Sequence, residues 1–211
     1  MKSHICIRIC ITALICITAS VAKHAQAQAL YAGVRGGAGM PTGDFSEKPT
    51  STGNAALLRG ASPGLGYGFD AGLGAGLVGF YASYDRIQFG CQSGSCASTG
   101  KYELTGLSAG ARVGIPLLPL LKPWAKAGLT YMQMKGSVSG SSVTTKKRPG
   151  YEVGAGVDIP ILMGFFSLSP QIKLVRQKLE PVIASSNATT GGKRSADFYV
   201  FALGLNVRSP F

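Results

Sequence analysis

Residues 64–77, GLGYGFDAGLGAGL, alternate between apolar side chains and glycine, with Asp70 as the one exception. Because successive side chains of a β-strand point to opposite faces, this period of two predicts a strand. A strand of a soluble sandwich would carry Lys, Glu, Thr and Ser on its outer face rather than a row of glycines. The glycine face is typical of the inner side of a narrow barrel, which leaves lipid as the neighbour of the bulky face.

The same alternation recurs along the chain and predicts eight strands. They are expected at residues 30–40, 64–77, 78–89, 101–115, 124–135, 150–159, 165–179 and 196–207. Long connections at 41–63, 90–100, 136–149 and 180–195 alternate with short ones near 77, at 116–123 and at 160–164. This arrangement is typical of outer-membrane barrels, which have short periplasmic turns and long extracellular loops. The predicted fold class is therefore all-β, an eight-stranded antiparallel up-and-down transmembrane β-barrel.

Residues 1–29 have the pattern of a secretory signal peptide of the Sec type. Basic residues precede an apolar stretch at 9–21, and small-residue cleavage sites follow it. Cleavage after Ala27 or Ala29 would leave a barrel domain at 30–211. The alternative is an uncleaved membrane anchor, which is less favoured because the apolar stretch is shorter than the roughly 20 residues of a membrane-spanning helix.

Both histidines of the chain, His4 and His24, lie in the predicted signal peptide. The exported domain would then contain no histidine, so catalytic schemes that depend on an imidazole are excluded. Loss of the three basic residues of the signal peptide lowers the formal net charge of the chain from +12 to +9. The exported domain therefore remains strongly basic.

Charged residues at alternating positions are assigned to the inner face of the predicted strands. They are Arg35, Asp70, Asp85, Arg112, Lys126, Glu152, Asp158 and Lys173. With the faces reversed, each Arg or Lys in the middle of the membrane would meet lipid at a cost of roughly 2 to 4 kcal/mol. Equal numbers of opposite charges predict ion pairs that cross and plug the lumen. In the alternative, Asp85, Asp158 and Lys173 lie near the rims, solvated and unpaired.

Two features of the predicted loops suggest interactions. Cys91 and Cys96 flank four small residues and are candidates for a disulfide, as expected in an exported protein. A metal site is not supported, because no histidine is available. Lys146, Lys147, Arg148, Lys193 and Arg194 form a basic loop patch. This patch is either a solvated positive rim or a binding site for the phosphates of lipopolysaccharide, and binding of nucleic acid is not expected of an exported barrel.

Several segments resemble the bacterial outer-membrane β-barrel domain family, the small porin-like barrels related to the OmpA membrane domain and to OmpX. They are GVRGGAGMPTGDFS at 33–46, GYEVGAGVDIPI at 150–161, FSLSPQIKL at 166–174 and the strand that closes on Phe211. The resemblance implies that the barrel-assembly machinery recognises a C-terminal signal. Its residues would be Phe201, Leu203, Leu205, Val207 and Phe211.

These observations predict a non-enzymatic protein of the bacterial outer membrane with a structural or surface-interaction role. The expected partners are outer-membrane lipid, lipopolysaccharide and, during biogenesis, the barrel-assembly machinery, and no cofactor is expected. One alternative is a narrow porin-like channel for small solutes. Another is an enzyme that modifies lipid A, which the lack of histidine in the exported domain disfavours.

Overall fold

The computed structural model describes residues 29–47, 59–91, 100–115, 121–138, 141–161, 165–183 and 194–209. These residues form ten β-strands and one turn of 3-10 helix, η1 (Gly43–Phe45). The strands are β1 (Ala29–Thr42), β2 (Ala61–Ala75), β3 (Val78–Cys91), β4 (Lys101–Gly114), β5 (Lys122–Val138), β6 (Ser141–Thr145), β7 (Arg148–Ile161), β8 (Phe166–Leu179), β9 (Pro181–Ile183) and β10 (Arg194–Ser209). Within this part of the chain, no helix has the length and hydrophobicity needed to cross a membrane.

Eight of the strands close into an antiparallel barrel. β1 pairs with both β2 and β10, and β4 pairs with β5, so the succession of neighbours returns to its start. Following hydrogen-bonded partners once around the barrel from Leu30 leads back to β1 at Met40, ten residues further along the strand. Eight strands with a shear of ten correspond to a strand tilt of about 40°. The predicted eight-stranded barrel is confirmed.

Strands β6 and β9 were not predicted. β5 pairs with β7 from Lys122 to Met132 and then pairs with β6 from Lys135 to Val138, and β9 adds to the far edge of β6. The connection expected at 136–149 is thus partly a sheet that extends beyond the barrel. Its sequence, SSVTT in β6, is short and polar, so it lacks the apolar alternation that revealed the other strands.

The outer surface of the barrel is apolar. Leu65, Phe80 and Leu129 are each 70% exposed or more, and most of the other large apolar side chains of the same parity are also exposed. Exposing so much apolar surface to water would cost about 25 cal/mol per Å². The exposed side chains nearest the long connections include four tyrosines, as in the aromatic girdle of a membrane barrel. These are Tyr67, Tyr131, Tyr151 and Tyr199.

The interior divides into two halves. The half near the long connections is an apolar plug made of Phe45, Ala61, Ile87, Phe89, Tyr102, Leu104, Met132, Met134, Val175, Leu179, Ala196, Phe198 and Val200. The half near the short turns contains the charged side chains described below. The glycine-rich inner face predicted from residues 64–77 therefore does not extend to all strands, because large apolar side chains fill the half near the long connections. Small residues do dominate the inner wall of β1 and β2, where a side chain at Gly37 would collide with the backbone of β10.

Candidate functional site

Glu152, on β7, is the centre of a charged layer across the middle of the barrel, and its side chain is fully buried. Its carboxylate accepts hydrogen bonds from Tyr81 (2.7 Å) and Ser108 (3.3 Å). It also pairs with Lys126 at 3.0 Å and with Lys173 at 3.1 Å. Side chains from four other strands thus converge on one carboxylate: Lys126 and Lys173 come from the flanking strands β5 and β8, and Tyr81 and Ser108 reach it from β3 and β4.

The same layer continues from Lys173 to the opposite wall. Lys173 donates to Asp85 at 2.6 Å, and Arg35 bridges Asp85 (2.8 Å) and Asp70 (2.5 Å). The central layer therefore contains three cations and three carboxylates in an unbroken series. Because each charge has a partner of opposite sign, burial in the narrow lumen is compensated.

Asp158 organises a second charged layer near the short turns. It accepts hydrogen bonds from Trp124 (3.0 Å) and Ser169 (2.8 Å) and pairs with Arg112 (2.5 Å) and Arg208 (3.3 Å). The Arg112 guanidinium also lies 4.1 Å from the centre of the Trp124 ring, a cation–π contact. This layer closes the short-turn end of the lumen.

The structure thus brings together every charged residue that was predicted to face the lumen. The alternative in which Asp85, Asp158 and Lys173 are solvated at the rims is wrong, since all three are buried and paired. Arg208 was missed, although it has the parity of the lumen-facing Asn206 and could have been found by extending the alternation of β10 by one position.

Phe45 closes the long-loop end. It is 1% exposed, and its ring lies 5.2 Å from Phe89 edge-on and 5.9 Å from Tyr102. η1 brings Phe45 over the mouth of the barrel directly after β1, where Thr42 donates to the backbone carbonyl of Asp197 (3.1 Å). A loop residue therefore completes the apolar plug.

The cavities identified inside the lumen, among the described residues, are small. One lies beside Arg35 and Ile87 and another beside Arg112 and Lys126, and each measures about 10 Å³. Such a volume holds about one water molecule. Two charged layers and the apolar plug thus leave no continuous passage through the part of the barrel that the structure describes.

The predicted basic loop patch is partly neutralised. Lys146 (3.4 Å) and Arg148 both pair with Glu180, which follows β8. Hydrogen bonding from Arg148, supported by Lys146, holds the pKa of the Glu180 carboxyl below its ordinary value. Lys146 and Arg148 are therefore paired with Glu180 while their side chains stay about half exposed, as in a positive rim. Lys193 lies outside the described residues, as does the side chain of Arg194 at the start of β10.

Two further cations extend this patch along the outside of the barrel. Arg176, on β8, pairs with Asp197 at 2.6 Å, and Lys178 is the next outward residue on the same strand. We call Lys146, Lys147, Arg148, Arg176 and Lys178, with Glu180 and Asp197, the β8 cluster. Within the described residues, Lys147 and Lys178 have no ion-pair partner, so five cations face two carboxylates.

The remaining predicted residues concern the disulfide and the assembly signal. Cys91, at the end of β3, is in a disulfide bond, and its predicted partner Cys96 lies outside the described residues. Phe201, Leu203, Leu205 and Val207 share the outward face of β10. Phe211 lies outside the described residues, so the assembly signal stays a prediction.

A closed barrel with an apolar exterior and charges only inside or at its rims is the arrangement expected in a bacterial outer membrane. The model of the outer membrane protein beta-barrel domain matches residues 11–168. The chain belongs to this family. This outer-membrane barrel has its long connections at one end and its short turns and both ends of the described chain at the other. In such barrels the long connections are extracellular, so the β8 cluster faces the cell surface.

Solved structures share the fold over most of the chain. Neisserial surface protein A matches with a TM-score of 0.57 and 14% identity, over 87% of this chain and 97% of that one. The outer membrane protein OprG from Pseudomonas aeruginosa matches with a TM-score of 0.57 and 10% identity, over 89% and 98%.

A third structure, Ail, is the attachment invasion locus protein of Yersinia pestis in complex with the heparin analogue sucrose octasulfate. It matches with a TM-score of 0.50 and 12% identity, over 87% of this chain and 99% of that one. At these identities the likeness concerns the fold alone. No curated protein matches the chain significantly.

Proposed function

We propose that this barrel is a non-enzymatic, sealed protein of the outer membrane that strengthens the envelope by binding the phosphates of lipopolysaccharide. The observation that carries the proposal is the excess of cations in the β8 cluster, next to the tyrosines of the aromatic girdle. Arg176 is the direct cross-strand neighbour of Tyr151, and both side chains point away from the lumen. Cations at that level meet the headgroups of the outer leaflet.

The closed lumen supports a role at the surface rather than in transport. A channel requires a polar path through the barrel, whereas here the outer half of the interior is an apolar plug. The charged groups beneath it are bound to each other. The nucleophile–histidine pair of common hydrolases is also absent from the described residues.

The attraction between the cations of the β8 cluster and an anionic membrane surface is large enough to affect binding measurably. Each Lys or Arg close to an anionic membrane surface contributes about 1 kcal/mol to binding, an effect that falls off within a Debye length. Lys147 and Lys178 are free to contribute in full. Arg176 presents the exposed edge of its guanidinium while Asp197 holds the other edge.

The test is the affinity of the purified protein for lipopolysaccharide, compared between two variants that retain the fold. Lys147→Gln combined with Lys178→Gln should weaken binding about tenfold or more, since two charges are lost. Lys122→Gln, at the exposed start of β5 on the short-turn side, is the matched control and should leave the affinity unchanged. Equal affinities for both variants would contradict the proposal.

A further inference from the structure

An apolar groove lies on the lipid-facing surface of β10 and β1 to β4. Its volume is about 590 Å³. Its floor is formed by Ala32, Ala71 and Ala82, which are successive cross-strand partners, and Phe69 and Leu107 form walls. A concave surface of this size on the convex outside of a barrel offers a single acyl chain more contacts than the surrounding wall does.

A group of charged residues lies directly above this groove, toward the cell surface. Tyr84 lines the groove, and Arg86 is the next outward residue on β3. The Arg86 guanidinium donates to the Tyr67 hydroxyl (3.4 Å) and pairs with Glu103 (2.8 Å).

The charge of this group is positive. Glu103 has Lys135 as its direct cross-strand partner on β5, and Lys101 is the preceding outward residue on β4. Three cations thus surround one carboxylate, and we call Arg86, Lys101, Glu103 and Lys135 the Arg86 cluster. The Arg86 side chain is 38% exposed and shares its one carboxylate partner with a region that holds two further cations, so its accessible face can attract an anion.

We infer that the groove and the Arg86 cluster together form a binding site for the lipid A part of one lipopolysaccharide molecule. The phosphate binds at the Arg86 cluster, and an acyl chain lies in the groove. From Ala82 to Arg86 the strand rises about 13 Å. The groove thus lies at the level of the acyl chains and Arg86 at the level of the headgroups, which matches a ligand with an apolar chain and an anionic headgroup. The inference rests on the proposed function, since lipopolysaccharide is the ligand in each. The two binding sites, however, lie at different places on the barrel.

Among the described residues, larger side chains form the outer surface beneath the β8 cluster. The outward residues below Arg176 are Leu174 and Ile172, and their cross-strand neighbours on β7 are Val153 and Ala155. Branched side chains at three of these four positions leave a filled wall. The β8 cluster therefore attracts headgroups without holding a chain, whereas the Arg86 cluster is combined with a chain-sized groove.

The test uses native mass spectrometry of the detergent-solubilised full-length barrel with added hexa-acylated lipid A. Ala82→Leu fills the floor of the groove and should reduce lipid A affinity about tenfold, as expected for the loss of about two methylene groups' contact. Arg86→Gln should reduce it by a similar factor. Ala155→Leu, an outward alanine on β7 outside the groove, is the control and should change nothing.

The outcomes separate the two lipopolysaccharide sites. If Ala82→Leu left the lipid A affinity unchanged while the Lys147 and Lys178 double variant still lost lipopolysaccharide affinity, the groove would not be a binding site. The proposed function would then still stand. If Ala82→Leu reduced binding of phosphatidylglycerol as strongly as binding of lipid A, the assignment to lipid A would be wrong. A heat-dependent shift in electrophoretic mobility, equal for all variants, verifies that each barrel is folded.

Discussion

Glu152 shows how a charge can be kept in the interior of a membrane protein. Its carboxylate is fully buried and has four partners, two of them cations. Removing one member of such a network leaves the opposite charges buried without compensation, which costs far more than losing an exposed pair.

We expect Glu152→Gln to lower the free energy of unfolding by about 3 to 5 kcal/mol, because Lys126 loses its ion-pair partner and Lys173 keeps only Asp85. Asp70→Asn is the matched control. Loss of the Asp70 charge leaves Arg35 paired with Asp85, so the free energy of unfolding should fall clearly less. Urea titration of the barrel in micelles measures both, and equal effects would show that Glu152 is not the centre of the layer.

The seam between β1 and β10 closes the barrel and depends on close approach of the two backbones. A Cβ at Gly37 would collide with the carbonyl oxygen of Phe201 on β10, whereas a Cβ at the neighbouring Gly36 would meet no atom within 4 Å. The two glycines differ because Gly37 has inward parity and Gly36 faces lipid.

Gly37→Ala should therefore destabilise the barrel by about 1 to 3 kcal/mol, the usual cost of overpacking. Gly36→Ala should stay within about 0.5 kcal/mol of the native protein. The unfolding free energies from urea titration give the comparison. If the two variants were equally stable, tight packing at the seam would not be what closes the barrel.

The strands also show which elements a sequence can reveal. The long strands could be predicted because lipid and lumen impose opposite requirements on alternate residues, as in β2. β6 and β9 could not, since they lie beyond the membrane and their pairing depends on partners distant in the chain. Parity also assigned Glu152 and Arg35 to the lumen, but it could not tell that Glu180 pairs with Lys146 and Arg148.

The whole barrel is closed by two different kinds of seal in series. Phe45 and its aromatic neighbours seal the outer half, and the ion pairs around Glu152 and Asp158 seal the inner half. Phe45 escaped sequence reasoning because it lies in a turn, and a period of two carries no information about turn residues that fold back into the lumen. The strand members of the plug, such as Phe89 and Phe198, have inward parity, so the alternation already assigned them to the lumen.

Phe45→Ala should leave the barrel non-conducting, because the charged layers beneath the mouth remain intact. The loss of a buried Phe ring should still lower stability, with about 3 to 5 kcal/mol as the upper limit because the loop can relax into the space. Current through planar bilayers and urea titration measure the two effects. A steady current in Phe45→Ala alone would show that the charged layers do not seal.

The most direct test of the account is the conductance of the native barrel in planar lipid bilayers. Sealed by the plug and by both charged layers, the protein should insert without producing discrete, steady current steps. Reproducible steps of uniform size from the folded, heat-modifiable protein would contradict the sealed interior and make a narrow channel the better description.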